Sequence, residues 1–175
     1  IFVDLALQTA GEGKYLIERK NINLLTSQQL SKYQTIIISA NNVSNGIEQL
    51  KDFVNNGGGL ILFPSSNPDA VSFNRTLTQL GLGNAQAFVG KVNGSDIKIN
   101  FDKTDFGHPV FQNIFKSDDK KKYESPELNA YYKLTQSGKQ IISLVDGSSF
   151  LDEIKIDNGK VFLLNSSLYK VYRLY

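Results

Sequence analysis

The chain has 175 residues, 41% of them hydrophobic and 21% charged, which is the composition of a water-soluble globular domain and not of a disordered, collagen-like or membrane-spanning chain. Nineteen Lys and Arg against seventeen Asp and Glu leave a net charge of +2, too balanced for the broad basic field that nonspecific nucleic-acid binding requires. The absence of Cys excludes disulfides, a thiolate nucleophile and sulfur-ligated zinc, and a single His without carboxylate ligand runs argues against any metal site.

Ile1, Phe2, Leu5 and Ala6 fall at helical spacing before Gly11 and Gly13, so the spacing predicts a helix over residues 1–10. Tyr15 to Glu18 reads as a short strand and Ser27 to Tyr33 as a short helix or turn. Thr35-Ile36-Ile37-Ile38-Ser39 is a β-branched run of the kind found in strands covered on both faces, which argues for a parallel sheet. Asn45 with Glu48 three residues on has the form of a reciprocally capped helix start. Ile47, Leu50, Phe53 and Val54 then share one face, and Asn55-Asn56-Gly57 closes the helix. Gly59 to Phe63 is a second buried strand ended by Pro64, completing a strand–helix–strand unit.

Ala70 to Leu80 forms another amphipathic helix, stopped by Gly81 and Gly83. Ala87 to Val92 and Ile97 to Phe101 flank Asn93-Gly94, which predicts an inserted hairpin. Residues 102–127 are mostly irregular. Tyr131 to Leu134, Gln140 to Val145, Phe150 to Ile156 and Lys160 to Leu164 then read as strands separated by Gly-containing turns. No repeat or linker divides the chain, so residues 1–175 are expected to form one α/β domain. The chain begins with Ile, has no apolar run of membrane-spanning length and no leader, and is expected to be a soluble piece of a longer product.

In open parallel sheets, ligands meet the carboxyl ends of strands. Three such exits carry neutral hydroxyls and amides: Ser39, Asn41 and Asn42 after the first strand, Ser65, Ser66 and Asn67 after the second, and Asn165 and Ser166 after the last. Neighbouring strands would bring these groups to one crevice suited to recognising a polar neutral group, although Ser and Asn also make ordinary turns after strands. A serine hydrolase would use Ser65 or Ser66 with His108, oriented by Asp105 or Glu124, but the turn lacks the glycines of a nucleophile elbow. Glu124 and Glu127 form a weaker acid–base candidate. Tyr131-Tyr132 and Tyr172 with Tyr175 offer an aromatic platform for a carbohydrate-binding module, with core packing as the commoner use of such rings. The four N-x-S/T sequons, at Asn42, Asn74, Asn93 and Asn165, are expected by chance in a chain with sixteen Asn.

The segment from Gln34 through Ile38, the helix from Ile47 to Val54, and Asn55-Asn56-Gly57-Gly58-Gly59-Leu60-Ile61-Leu62-Phe63-Pro64 together resemble the class I glutamine-amidotransferase-like superfamily. Gly107-His108-Pro109-Val110-Phe111, followed by Gly159-Lys160-Val161-Phe162-Leu163 and Ser166, is similar to the amidotransferase-like domains of bacterial membrane-anchored proteins of the aerotolerance (BatA-like) type. The resemblance covers about residues 1 to 167. It implies a flavodoxin-like three-layer α/β sandwich with a mostly parallel sheet, an inserted hairpin and a β-rich C-terminal half. True amidotransferases place a Cys nucleophile where Pro64-Ser65-Ser66-Asn67 stands here, so the resemblance implies the scaffold without glutaminase activity. The expectation is a noncatalytic interaction or sensing domain with no cofactor. Its partner is expected to be a protein or another domain of the same polypeptide, and its place outside the cytoplasm on a membrane-anchored protein. The superfamily fold usually opens on a β-strand, which is missing before Ile1.

Overall fold

The computed structural model describes residues 15–21, 30–90, 97–112, 125–135 and 138–167, together with Val3 and Leu7. Most of the helix expected over residues 1–10, the Asn93-Gly94 turn, Glu124, Tyr172 and Tyr175 lie outside these residues. Tyr15 to Glu18, read from the sequence as a strand, is irregular.

The strand–helix–strand unit opens the ordered fold. β1 (Thr35–Ser39) and β2 (Gly59–Phe63) pair in parallel, with Ile36 opposite Leu60 and Ile38 opposite Leu62. Between them, α1 (Ile47–Asn55) buries Ile47, Leu50, Phe53 and Val54, the face set by their spacing. Its start differs from the expectation. A short 3-10 turn, Ser44–Gly46, leads into the helix, Gly46 takes the N-cap position, and no side chain caps it. α2 (Ala70–Leu80) buries Phe73, Thr76, Leu77 and Leu80. Asp69 accepts from the Ser72 N–H at its start, and Gly81, at φ 72°, ends it in the left-handed conformation that glycine adopts without a Cβ penalty.

β3 (Ala85–Val89) pairs antiparallel with β5 (Tyr131–Leu134), forming a two-stranded sheet. The hairpin expected around Asn93-Gly94 is therefore corrected: the partner of β3 arrives more than forty residues later in the chain. Further along the chain, Ile99 bridges Leu128, and β4 (Phe101–Thr104) pairs with β6 (Lys139–Leu144).

β7 (Ser149–Ile156) and β8 (Gly159–Leu164) complete the main sheet, whose order is β1-β2-β8-β7-β6-β4. β1, β2 and β8 are parallel, while the β8-β7, β7-β6 and β6-β4 pairings are antiparallel. The mostly parallel sheet of the sequence reading is corrected to a sheet parallel in one half and antiparallel in the other. The turns at Gly147 (φ 83°) and Asp157 (φ 46°) are too short for a crossover, so the strands they join must run antiparallel. The fold is thus mixed α/β with few helices.

Side chains alternate across the sheet. Ile38, Leu60, Leu62, Val161, Leu163 and Ile154 pack with α1 and α2 into one core. A second core gathers Ile99, Leu128, Ile141, Ile142, Leu144 and Phe150, with Leu151, Phe162 and Leu164 packed against it. Adjacent residues of β5 divide between them, Tyr132 entering the first core and Tyr131 the second.

Candidate functional site

Parallel pairing of β2 with β8 brings their carboxyl ends side by side, so Ser65 and Ser66 meet Asn165, Ser166 and Ser167 across one small crevice. Phe88 of β3 and the Ala130–Tyr132 segment close its far side. The crevice is shallow and open on one side, with about 20 Å3 of space, room for one water-sized group.

The first exit contributes differently from the other two. Asn41 donates from Nδ2 to Ser65 Oγ (2.8 Å) and to the Asn67 carbonyl (2.6 Å), and its Oδ1 accepts from the Ser65 N–H at 3.1 Å. Ser65 Oγ donates onward to the Asn67 carbonyl at 3.0 Å. Thr76 Oγ1 on α2 donates to the Asn41 carbonyl at 2.8 Å. Asn41 therefore staples the β1 exit to the β2 exit with its amide fully used, and it positions the crevice without lining it. Ser39, Asn42 and Asn67 are exposed and also stand outside the lining.

Asn165 is the most constrained member. Its N–H donates to the Phe150 carbonyl (3.1 Å), and its own carbonyl accepts from the Tyr132 N–H (2.8 Å). Its Nδ2 donates to the Ser149 carbonyl. Ser166 Oγ donates to the Ala130 carbonyl at 2.7 Å. These bonds explain why β5 returns to the β8 exit. Tyr132 Oη in turn accepts from the Asp69 N–H (2.9 Å), linking the crevice wall to the cap of α2.

Tyr131 and Tyr132 are 3% and 2% exposed, so these two rings offer no open face on which a sugar could stack, and Tyr172 and Tyr175, the other half of the aromatic platform, lie outside the described residues. Burial disfavours the phenolate and pushes the pKa of both phenols above the ordinary tyrosine range, and for Tyr131 the hydrogen bond to Asp146 adds to it.

His108 is committed elsewhere. Its Nδ1 accepts from the Val110 N–H at 3.2 Å, and Nε2 lies 2.8 Å from Glu153 Oε2, with both side chains buried. The Val110 bond leaves the proton on Nε2, pointed at the carboxylate. Asp105 does not orient the imidazole through its carboxylate, which instead takes Lys139 Nζ (2.8 Å) and the Gly107 N–H (3.1 Å). The lysine bond, ahead of burial's opposing effect, holds that carboxyl below the ordinary aspartate range. Glu153 and Phe162 share a row of the sheet with Ile61, and Ser65 stands four residues beyond Ile61, on the order of 13 Å of extended chain. The Ser65 or Ser66 pairing with His108 that a hydrolase requires is not assembled. Glu127, the described half of the other acid–base candidate, pairs with Lys98 at 2.9 Å on the surface.

Sequence reasoning missed Glu153 and Asp152, both buried on β7. The available signal was two adjacent carboxylates set between Leu151 and Ile154 in the middle of a strand. Phe88 and Ala130 were missed because only the long-range β3-β5 pairing brings them to the crevice.

No protein-family model and no curated protein matches the chain. Solved structures do. A cytoplasmic protein of Salmonella typhimurium LT2 is similar at a TM-score of 0.66 and 16% identity, over 95% of this chain and 77% of that one. A putative thua-like protein of Bacteroides uniformis is similar at 0.66 and 12%, over 94% and 73%. A second cytoplasmic protein of Salmonella typhimurium reaches 0.55 and 18%, over 87% and 70%. At these identities the likeness is one of fold alone, and the mixed α/β architecture described above is the fold it concerns.

Proposed function

We propose that the chain is a noncatalytic binding domain on a flavodoxin-like, amidotransferase-like scaffold, and that it makes its contact at the crevice between the β2 and β8 exits. The observation that carries this reading is the chemistry of the crevice. Its lining holds serine hydroxyls, a buried carboxamide and aromatic rings, with no carboxylate, imidazole, ammonium or guanidinium among them. Ser65 Oγ spends its proton on a backbone carbonyl, so no base activates it. Supporting the scaffold assignment are the parallel β1-α1-β2 unit, the adjoining β8 and the resemblance of the Gly57-Gly58-Gly59-Leu60 segment.

In this reading the domain serves a membrane-anchored bacterial protein as an interaction or sensing module outside the cytoplasm, and its partner is a protein or another domain of the same polypeptide. The GHPVF and GKVFL segments support it through their resemblance to the BatA-like branch. The test is a photo-crosslinking residue at Ser66 in the full-length protein in cells, with the exposed Lys155 of β7 as the control. A discrete adduct from position 66 and none from 155 is expected. A fluorophosphonate adduct on Ser65 or Ser66 would overturn the noncatalytic reading.

A further inference from the structure

The main sheet has two edges, and the sequence treats them differently. β4, at one end of the strand order, is four residues long, carries the exposed Asp102 and Lys103, and shifts register against β6 between Phe101 and Thr104. Short length, charge and a bulge are devices that keep a sheet edge from pairing with another chain. β1, at the other end, lacks both charge and irregularity. Thr35-Ile36-Ile37-Ile38-Ser39 has no charged residue and no proline, and it stays in unbroken register with β2.

The backbone groups that β1 presents follow from the bonds at its ends. The Gly59 N–H donates to the Gln34 carbonyl and the Ala40 N–H to the Phe63 carbonyl, so the even-numbered residues turn their N–H and C=O toward β2. Thr35, Ile37 and Ser39 turn theirs the other way, to an edge with which no strand pairs among the described residues. Thr35 and Ser39 are exposed there, and Ile37 is half-buried.

We propose that β1 is a self-association edge, occupied by β1 of a second copy running antiparallel across a twofold axis at Ile37. In that register Ile37 faces the partner's Ile37, and Thr35 faces the partner's Ser39. Each facing pair exchanges two hydrogen bonds, so every outward N–H and C=O of the three residues is used. The side chains agree with the backbone. Hydroxyl, isoleucine, hydroxyl reads the same in both directions, as a twofold pairing requires, and it sets one apolar pair between two hydroxyl pairs. That order selects a second copy over a foreign strand. Lys32, the nearest charge along the chain, comes opposite the partner's Asn42 and not against another lysine.

Five residues a side make a small interface, so the association is weak and is sought by sedimentation velocity of the 175-residue chain from ~5 to ~500 µM. A dimer that grows with concentration is expected. Ile37→Lys, which sets two ammonium groups against each other at the axis, should weaken it tenfold or more. Should that variant fail to fold, Ser39→Pro removes one outward N–H at an exposed position, leaves the β2 ladder intact and should weaken the dimer likewise. The chain has no Cys, so the register can be read by crosslinking. Mild oxidation should trap Ile37→Cys as a disulfide dimer, its facing Cα atoms about 5.5 Å apart. It should leave Ser39→Cys untrapped, because the two copies of that residue stand roughly 14 Å apart. A chain that stays monomeric throughout, a dimer unaffected by the edge variant, or Ser39→Cys trapped as readily as Ile37→Cys overturns the proposal. In a monomeric chain, slow amide exchange at Thr35, Ile37 and Ser39 then assigns the edge to a segment of the same molecule, and fast exchange shows it bare. The crosslink at position 66 tests the crevice separately, so either reading can fail without the other.

Discussion

His108 shows how one side chain can hold two elements by using both ring nitrogens. Its ring spans from the Val110 N–H to Glu153 on β7, and its edge meets Phe162 of β8. Removing the ring strands a buried carboxylate, whose second oxygen keeps, among the described residues, Lys160 at 3.5 Å. His108→Ala should therefore cost about 3 kcal/mol in urea unfolding at neutral pH. A cost below about 0.5 kcal/mol would show that Glu153 finds water instead. Asp146 presents the opposite balance. Burial works against its ionisation, but hydrogen bonds from Tyr131 Oη, the Ser148 N–H and Lys133 outweigh that and bring the carboxyl down to about 2. A folded-state value below the unfolded one means its stabilisation is complete above about pH 4 and lost as pH falls toward 2. For so partly exposed a group this amounts to roughly 1 kcal/mol. Tyr131→Phe should flatten the acid limb of the stability curve between those values, as followed by thermal melts. Asp152 runs the other way: burial raises its carboxyl, and the Ser149 hydroxyl only partly offsets this. Its ionisation therefore destabilises the fold as pH rises, and Asp152→Asn should be more stable than the parent at pH 7 and lose that advantage in acid.

At the level of elements, two glycines separate strain from collision. Gly81 has open space where a Cβ would go, but sits at φ 72°, so Gly81→Ala should cost about 1–2 kcal/mol from conformation alone. Gly159 has an ordinary φ, yet a Cβ there would run into the Val54 and Gly58 carbonyls behind α1. Gly159→Ala should cost about 3 kcal/mol or more, because backbone cannot step aside as a side chain can. Chemical denaturation of both variants checks the order, and Gly81→Ala being the worse would refute it. The same contrast explains what was legible beforehand. The extent of α2, the buried face of α1 and the Gly147 and Asp157 turns follow from local periodicity and turn chemistry, and the structure has all of them. The start of α1 does not, because Ser44–Gly46 tightens into a 3-10 turn ahead of Ile47 where a side-chain cap was expected. Nor does the partner of β3, since an Asn-Gly dipeptide reports only on its neighbours and the β5 pairing is decided by tertiary packing. The crevice was half visible. The rule that loops meet at strand carboxyl ends finds Ser65, Ser66, Asn165 and Ser166, but not that Asn41 would spend its amide on holding Ser65.

Taken whole, the molecule has two apolar interiors served by the same pair of strands. Ile154, Val161 and Leu163 belong to one, while Leu151, Phe162 and Leu164 pack on the other. Loosening either should therefore loosen both. Leu62→Ala in the first and Ile141→Ala in the second should each cost about 3 kcal/mol and shift one common unfolding transition, seen alike by near-UV and far-UV circular dichroism. Two separated transitions in either variant would mean that the halves unfold independently.

The division of labour within β5 has a consequence of its own. Tyr131 and Tyr132 are successive residues whose rings go to opposite interiors, so this short strand works like a rivet through two plates, and its phase matters more than its composition. One extra residue slipped in after Ala130 would transpose the two rings, tear the Asp146 and Asp69 anchors loose together and pull the wall from the crevice, although no side chain had been altered.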